Sequence, residues 1–191
     1  MCGRFYVTAD ETEEEMLAIL DTLNRRGVAC KTGEIFPSDT AAVIAPNKIQ
    51  RPTPFAVAWG YTMSNGKRLI NARSETAADK PLFRDGMMHR RCLVPATHYF
   101  EWERHGKEKT KYAIRPVAKR LMFMAGIYRL EASGAVFTIL TREPAESIRF
   151  IHDRMPVLLS HDAADAWLNL KTPADEILRT AITDVSFHAA P

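Results

Sequence analysis

Short runs of alternating or continuously apolar residues fill the middle of this chain, and they predict strands at residues 69–73, 92–95, 99–103, 112–114, 121–127 and 135–140. Further strands are expected at 2–7, at 41–44 before the Pro46-Asn47 turn, at 55–59 after Pro52 and Pro54, and at 185–188. A helical period occurs first in Met16, Leu17, Leu20 and Leu23, with Thr12-x-x-Glu15 as a capping box and Arg25-Arg26-Gly27 as a stop. Later helices are expected at 143–151 and 162–170, and a third opening at Thr172-Pro173-x-Asp175, with Thr172 as N-cap and Pro173 at the first helical position. Residues 28–40 read as irregular. Residues 60–67 read as an exposed excursion turning at Asn65-Gly66, and His105-Gly106-Lys107 as a hairpin tip. Regular βα alternation is absent, which argues against Rossmann and TIM folds. The expectation is an α+β fold with a mainly antiparallel, barrel-like β-sheet and peripheral helices, in one domain over residues 1–191.

Composition changes this picture little. Hydrophobic residues at 46% and charged residues at 26% suit a globular core, and no run is long enough to span a membrane. Cys2, Cys30 and Cys92 are too few and too scattered for a disulfide framework or a zinc site, so a reducing cytoplasmic setting and no metal are expected. The net charge of +3 permits a polyanionic partner without demanding one.

Chemistry-bearing residues stand in several of the predicted elements. Cys2 directly follows the initiator methionine, so removal of Met1 places an α-amine and a thiol on one residue, with reference pKa values of about 7.7–8.0 and about 8.5. The bland alternative is a small apolar residue near a chain end. In an extended 2–7 segment Cys2 and Arg4 share one face, while Phe5 and Val7 face the core. Asn71 and Arg73 share a face of their strand, which either meets solvent or lines a site. Phe100 and Trp102 are expected to face the core, leaving Glu101 on the other side beside Tyr99, where partial desolvation raises a carboxyl pKa. His152, at a helix end next to Asp153, is expected to favour its protonated form; a structural cap is the alternative. Spacing alone does not make these groups converge.

The ordered set Met1-Cys2-Gly3-Arg4-Phe5, Trp59-Gly60-Tyr61, Asn71-Ala72-Arg73-Ser74-Glu75-Thr76, Arg91-Cys92-Leu93-Val94-Pro95, Tyr99-Phe100-Glu101-Trp102 and Ile151-His152-Asp153-Arg154-Met155-Pro156 resembles the SRAP (SOS response-associated peptidase) family of abasic-site processing proteins. The resemblance implies a repair protein that recognises abasic sites in single-stranded DNA and forms a covalent thiazolidine cross-link through Cys2. It further implies lyase-type self-reversal and autoproteolytic (peptidase) chemistry, without cofactor, metal or membrane, in a monomer. By that resemblance Cys2 is the nucleophile, Asn71 holds the reacting end, Glu101 handles protons and His152 assists the Schiff-base and reversal steps. Arg4 and Arg73 become phosphate clamps, Pro37 a DNA-side contact, and the segment from Trp59 to Lys67 a wedge or stacking platform. Two departures from the family pattern stand out: Glu34-Ile35-Phe36-Pro37-Ser38 keeps Pro37 but has no Asn, and the stretch after Val185-Ser186-Phe187-His188 lacks the Asn-containing segment common in the family, so part of the DNA cleft is expected to be narrower or missing. Other N-terminal cysteine enzymes (amidotransferase or thiol peptidase) and a non-covalent single-strand-binding module are the competing readings.

Overall fold

The computed structural model describes residues 2–10, 13–106, 108–118 and 121–191. The chain opens with β1 (Phe5–Val7), α1 (Glu14–Asn24), β2 (Gly33–Ile35), β3 (Thr40–Pro46) and β4 (Pro52–Trp59). The small hairpin β5 (Tyr61–Thr62) and β6 (Arg68–Leu69) leads into β7 (Asn71–Arg73), α2 (Ser74–Ala77) and α3 (Pro81–His89). Long strands follow: β8 (Arg91–Ala96), β9 (His98–His105), β10 (Glu108–Pro116), β11 (Met122–Glu131) and β12 (Gly134–Arg142). A single 3-10 turn (Glu146–Ile148) precedes β13 (Met155–Pro156), β14 (Leu158–Leu159), α4 (His161–Leu168), α5 (Ala174–Arg179) and β15 (Val185–Ala189).

β12, β4, β3, β8 and β11 pair in that order, and β11 pairs back onto β12, closing a barrel. The joint between β12 and β4 is parallel, with Val136 opposite Ala58 and Phe137 opposite Trp59; the other joints are antiparallel. β7 joins β12 in parallel just beyond, where Asn71 stands opposite Ile139 and Arg73 opposite Thr141. A second sheet, ordered β15-β10-β9-β1-β2, is antiparallel throughout. The α+β, antiparallel-rich, barrel-like expectation therefore holds.

Trp59 ties the two sheets together. Its ring lies 5.1 Å from Phe5 of β1 and 6.2 Å from Phe137 of β12, and its Nε1 donates to the Ile70 carbonyl at 3.0 Å. Gly60 follows at φ +106°, where a Cβ would also press on Arg68 at 3.0 Å, so glycine alone fits this corner. Trp59→Ala is expected to lower stability by about 3–5 kcal/mol, the usual cost of emptying an aromatic core position. Denaturant unfolding checks this, and a loss under 1 kcal/mol overturns it.

Several expectations are corrected. The 28–40 stretch contains β2. Pro52 and Pro54 lie inside β4 rather than before it: β12 reaches only Ala58 and Trp59 of that strand, so the prolines occupy a stretch open on that side. The 60–67 excursion turns at Asn65-Gly66 as expected, but Tyr61 is buried beneath the Arg129 guanidinium. The α3 pattern was invisible because one buried position is Gly86, packed against Ile127, and glycine carries no apolar signal. In place of a helix over 143–151 there is one 3-10 turn, because the chain must return onto Thr141 and Arg142 at Met155 and Pro156. Pro173, not Thr172, caps α5; the Thr172 carbonyl instead accepts from Arg91 Nη1 at 2.8 Å. The expected cap at Thr12 and the tip residue Lys107 lie outside the described residues.

Candidate active site

Cys2 is fully buried, just before β1 starts. Its Sγ donates to the Arg4 carbonyl at 3.7 Å, and the Asn71 Nδ2 donates to the Cys2 carbonyl at 2.8 Å. The parallel joint of β7 with β12, anchored by the Trp59–Ile70 hydrogen bond, brings Asn71 to the chain end across 69 residues of sequence. Asn71 Oδ1 is buried with no hydrogen-bond partner among the described residues, and so is the Tyr99 hydroxyl. Thus the thiol does not share an open face with Arg4, as an extended 2–7 strand would require: regular pairing starts only at Phe5, and Cys2 tucks into the core.

The face assignment on β9 is also corrected. Tyr99 and Glu101 point inward, with Tyr99 opposite Phe5 and Glu101 only 4% exposed, whereas Trp102 stands half-buried on the outward side. Burial pushes the Glu101 carboxyl up to about 7, with Asp153 adding to the rise. Burial, then the charge of Glu101, pushes the Cys2 thiol far above its ordinary range. Tyr99 is raised by burial, then by Cys2 and Glu101. Glu101 therefore acts on both Cys2 and Tyr99, and Cys2 acts on Tyr99.

His152 follows the 3-10 turn and does not favour its protonated form. Burial lowers its pKa, and the Arg154 backbone N–H lies 3.0 Å from Nδ1. Asp153 Oδ1 lies 2.7 Å from the same Nδ1 and opposes the lowering, but this carboxylate is largely in water.

The β9–β10 hairpin overhangs the short β1, and the 149–153 segment faces it. Between them opens a cleft of ≈ 890 Å³ that takes in Glu101 and His152, with Arg4, Arg104, Lys109 and Arg149 on its walls. Four cations against Glu101 and Asp153 make it attractive to an anion. Arg4 is held at the rim: Nη1 pairs with Glu34 at 3.3 Å, and its guanidinium lies 4.2 Å from the Phe36 ring and 5.0 Å from Trp102. Glu34 also meets Lys111 at 3.1 Å; its own burial raises its pKa, but Lys111 and Arg4 outweigh this and hold it low. Pro37 is exposed in the 36–39 turn next to Phe36, with Ser38 at φ 77°. Arg73 is exposed at the end of β7. Trp59 does not belong to the surface: its ring is enclosed in the core, so stacking on DNA does not apply to it.

Cys2, Asn71, Glu101 and His152 are thus brought to one place, with Arg4 above them, while Arg73 and Pro37 sit on open surface and Trp59 acts from beneath. Sequence reasoning placed Tyr99 beside Glu101 but gave it no part in the site, where its buried hydroxyl now stands. It also missed the clamp in which Arg154 binds Glu75 through two bonds of 2.9 and 2.8 Å and reaches the Thr141 carbonyl, fixing the strand after His152 against α2. No cluster of His, Cys, Asp or Glu among the described residues could hold a metal ion. No helix among them is long and apolar enough to cross a membrane.

Comparison with known proteins finds relatives named for abasic-site processing. The abasic site processing protein YoaM of Bacillus subtilis is 36% identical over 130 residues, which are 65% of this chain and 57% of that protein. YedK of Escherichia coli, also named an abasic site processing protein, is 30% identical over 188 residues, 92% of this chain and 83% of its own length. The chain spans less than two thirds of the Bacillus relative and most of the Escherichia one. A Bacteroides thetaiotaomicron crystal structure shares the fold at a TM-score of 0.82 and 22% identity, covering 100% of this chain and 92% of its own. A phage-related protein from Bordetella bronchiseptica reaches 0.78 at 26% identity, covering 99% and 94%. The family model described as SOS response associated peptidase (SRAP) matches residues 1–189, and the chain belongs to that family.

Proposed function

We propose that this protein acts in DNA repair, capturing abasic sites in single-stranded DNA as a covalent adduct through Cys2. The observation that carries the reading is the burial of Cys2 against Asn71 beneath a cationic cleft that holds Glu101 and His152. The names of the Bacillus and Escherichia relatives point the same way.

Removal of Met1 must come first, because a retained methionine turns the Cys2 amine into an amide. The free amine then adds to the aldehyde carbon of the ring-opened sugar, and loss of the carbinolamine hydroxyl as water gives an imine. The Cys2 sulfur adds to the imine carbon, its proton passes to nitrogen, and a five-membered thiazolidine closes with one water lost overall. Glu101, with a pKa of about 7, is protonated often enough near neutrality to deliver a proton to the departing hydroxyl. Asn71 fixes the Cys2 carbonyl, and its free Oδ1 offers an acceptor to the reacting amine. His152 relays protons and serves reversal, in which water returns the aldehyde. Arg4 and Arg73 hold flanking phosphates.

Intact mass spectrometry after incubation with a short single-stranded oligonucleotide bearing an abasic site tests this. The expected species has the summed masses of Met1-free protein and DNA minus one water. Ammonia release from glutamine with no such species overturns the reading in favour of an amidotransferase.

A further inference from the structure

We propose that the outward face of the second sheet carries the unpaired DNA strand as it leaves the cleft. This rests on the reading of the cleft as a site for single-stranded DNA. Side chains that alternate away from Tyr99 and Glu101 form that face, and they are aromatic and basic. Tyr6 of β1 stacks on His98 of β9 with centroids 4.9 Å apart and planes 8° from parallel, and His98 meets Phe100 edge-on at 4.8 Å. Burial, with His188 and Arg115 nearby, holds His98 at about 4, so its ring is a neutral stacking surface.

Lys111 lies 4.1 Å above Phe100, and Arg115 and His188 stand exposed on β10 and β15. Within the described strands, the carboxylate on this face is Glu34, already bound by Arg4 and Lys111. A sheet face with half-buried Tyr6, His98 and Trp102 rings on two adjacent strands and excess positive charge matches the two needs of an unpaired strand, rings beside which bases pack and cations for phosphates, while Phe100 lies buried under Lys111. A globular protein partner would instead favour a more apolar centre. Continuity supports the same occupant. Arg4, Trp102, Arg104 and Lys109 line the cleft, and the outward alternation of β9 and β10 carries Trp102, Arg104 and Lys109 onto this face.

The test is fluorescence anisotropy with undamaged oligothymidines of about 6 and about 16 nucleotides, lengths that bracket a single-strand site. Two variants are compared with wild type: Arg115→Glu with His188→Glu, and Tyr6→Ala, with Tyr6→Phe as its conservative control. Each of the first two is expected to weaken the long oligonucleotide about tenfold, with the short one unchanged and Tyr6→Phe near wild type. The charge-reversed variant should also show a shallower salt dependence, by about one unit of slope per lost phosphate contact. Equal binding of the long oligonucleotide by wild type and the charge-reversed variant overturns the inference; that variant changes exposed positions, so a folding failure of Tyr6→Ala does not decide the matter. Adduct formation on a short abasic oligonucleotide is measured in parallel. Adduct without a length effect overturns this inference alone, and a length effect without adduct overturns the covalent reading alone.

Discussion

Cys2→Ala abolishes the covalent product on a denaturing gel, with no residual band above background, while the fold is retained. The side chain lost is small, so the expected change in stability is about 1 kcal/mol and the missing band cannot be ascribed to unfolding. Cys2→Ser separates the two nucleophiles. The amine remains, so an imine still forms and is trapped by borohydride reduction, but the band seen without reduction disappears because no sulfur closes the ring. Extending the N-terminus by one residue removes both products, since the amine becomes an amide. A Cys2→Ala protein that still gives the unreduced adduct would sink the assignment of Cys2.

Glu101→Gln should slow adduct formation by about 10²–10⁴-fold, the usual contribution of a positioned proton-transfer group. It should also change the shape of the pH profile. In the wild type the amine must be free, so the rate falls on the acid side of its pKa of about 7.7–8.0. Glu101 must be protonated to act as the acid, so the rate also falls as pH rises through about 7, and the profile is a bell. The Gln variant cannot deprotonate, so its alkaline limb is lost and the rate climbs to a plateau. Stability supplies an independent check. Because the folded pKa is raised from 4.5 to about 7, the folded state keeps a proton that the unfolded chain releases between those values. Wild-type stability therefore falls as pH rises through that window, and Glu101→Gln should flatten the fall in thermal melts. A bell that survives in the variant, or a wild-type profile without an alkaline limb, would remove Glu101 from the mechanism.

Period-2 alternation in short apolar runs was enough to find most strands and the α+β class, and the α1 stripe gave the first helix. Alternation also paired Tyr99 with Glu101 correctly, yet it assigned the wrong side to the core. The reason is that both faces of β9 are covered: Phe100 is buried on the outward face under Lys111 and Trp102 is half-buried there beneath Arg4, so apolar character did not mark the side of the core. Trp59 shows the opposite error: an aromatic next to a turn was read as a surface ring, and only the packing of Phe5 from β1 and Phe137 from β12 around it encloses it.

The sequence by itself determined the inventory: an aminothiol source at Cys2, the polar residues Asn71, Glu101 and His152, and a basic surplus. It could not determine that these meet. Local periodicity reports which face a residue takes on its own element, whereas convergence depends on which elements pair. The tertiary structure decided that through the parallel joint of β7 with β12, which delivers Asn71 to Cys2, and through the overhang of the β9–β10 hairpin beyond β1, which opens the cleft over Glu101. Burial at that junction, set by contacts between residues far apart in the chain, is also what moves the Glu101 carboxyl into the range where it can exchange a proton at neutral pH.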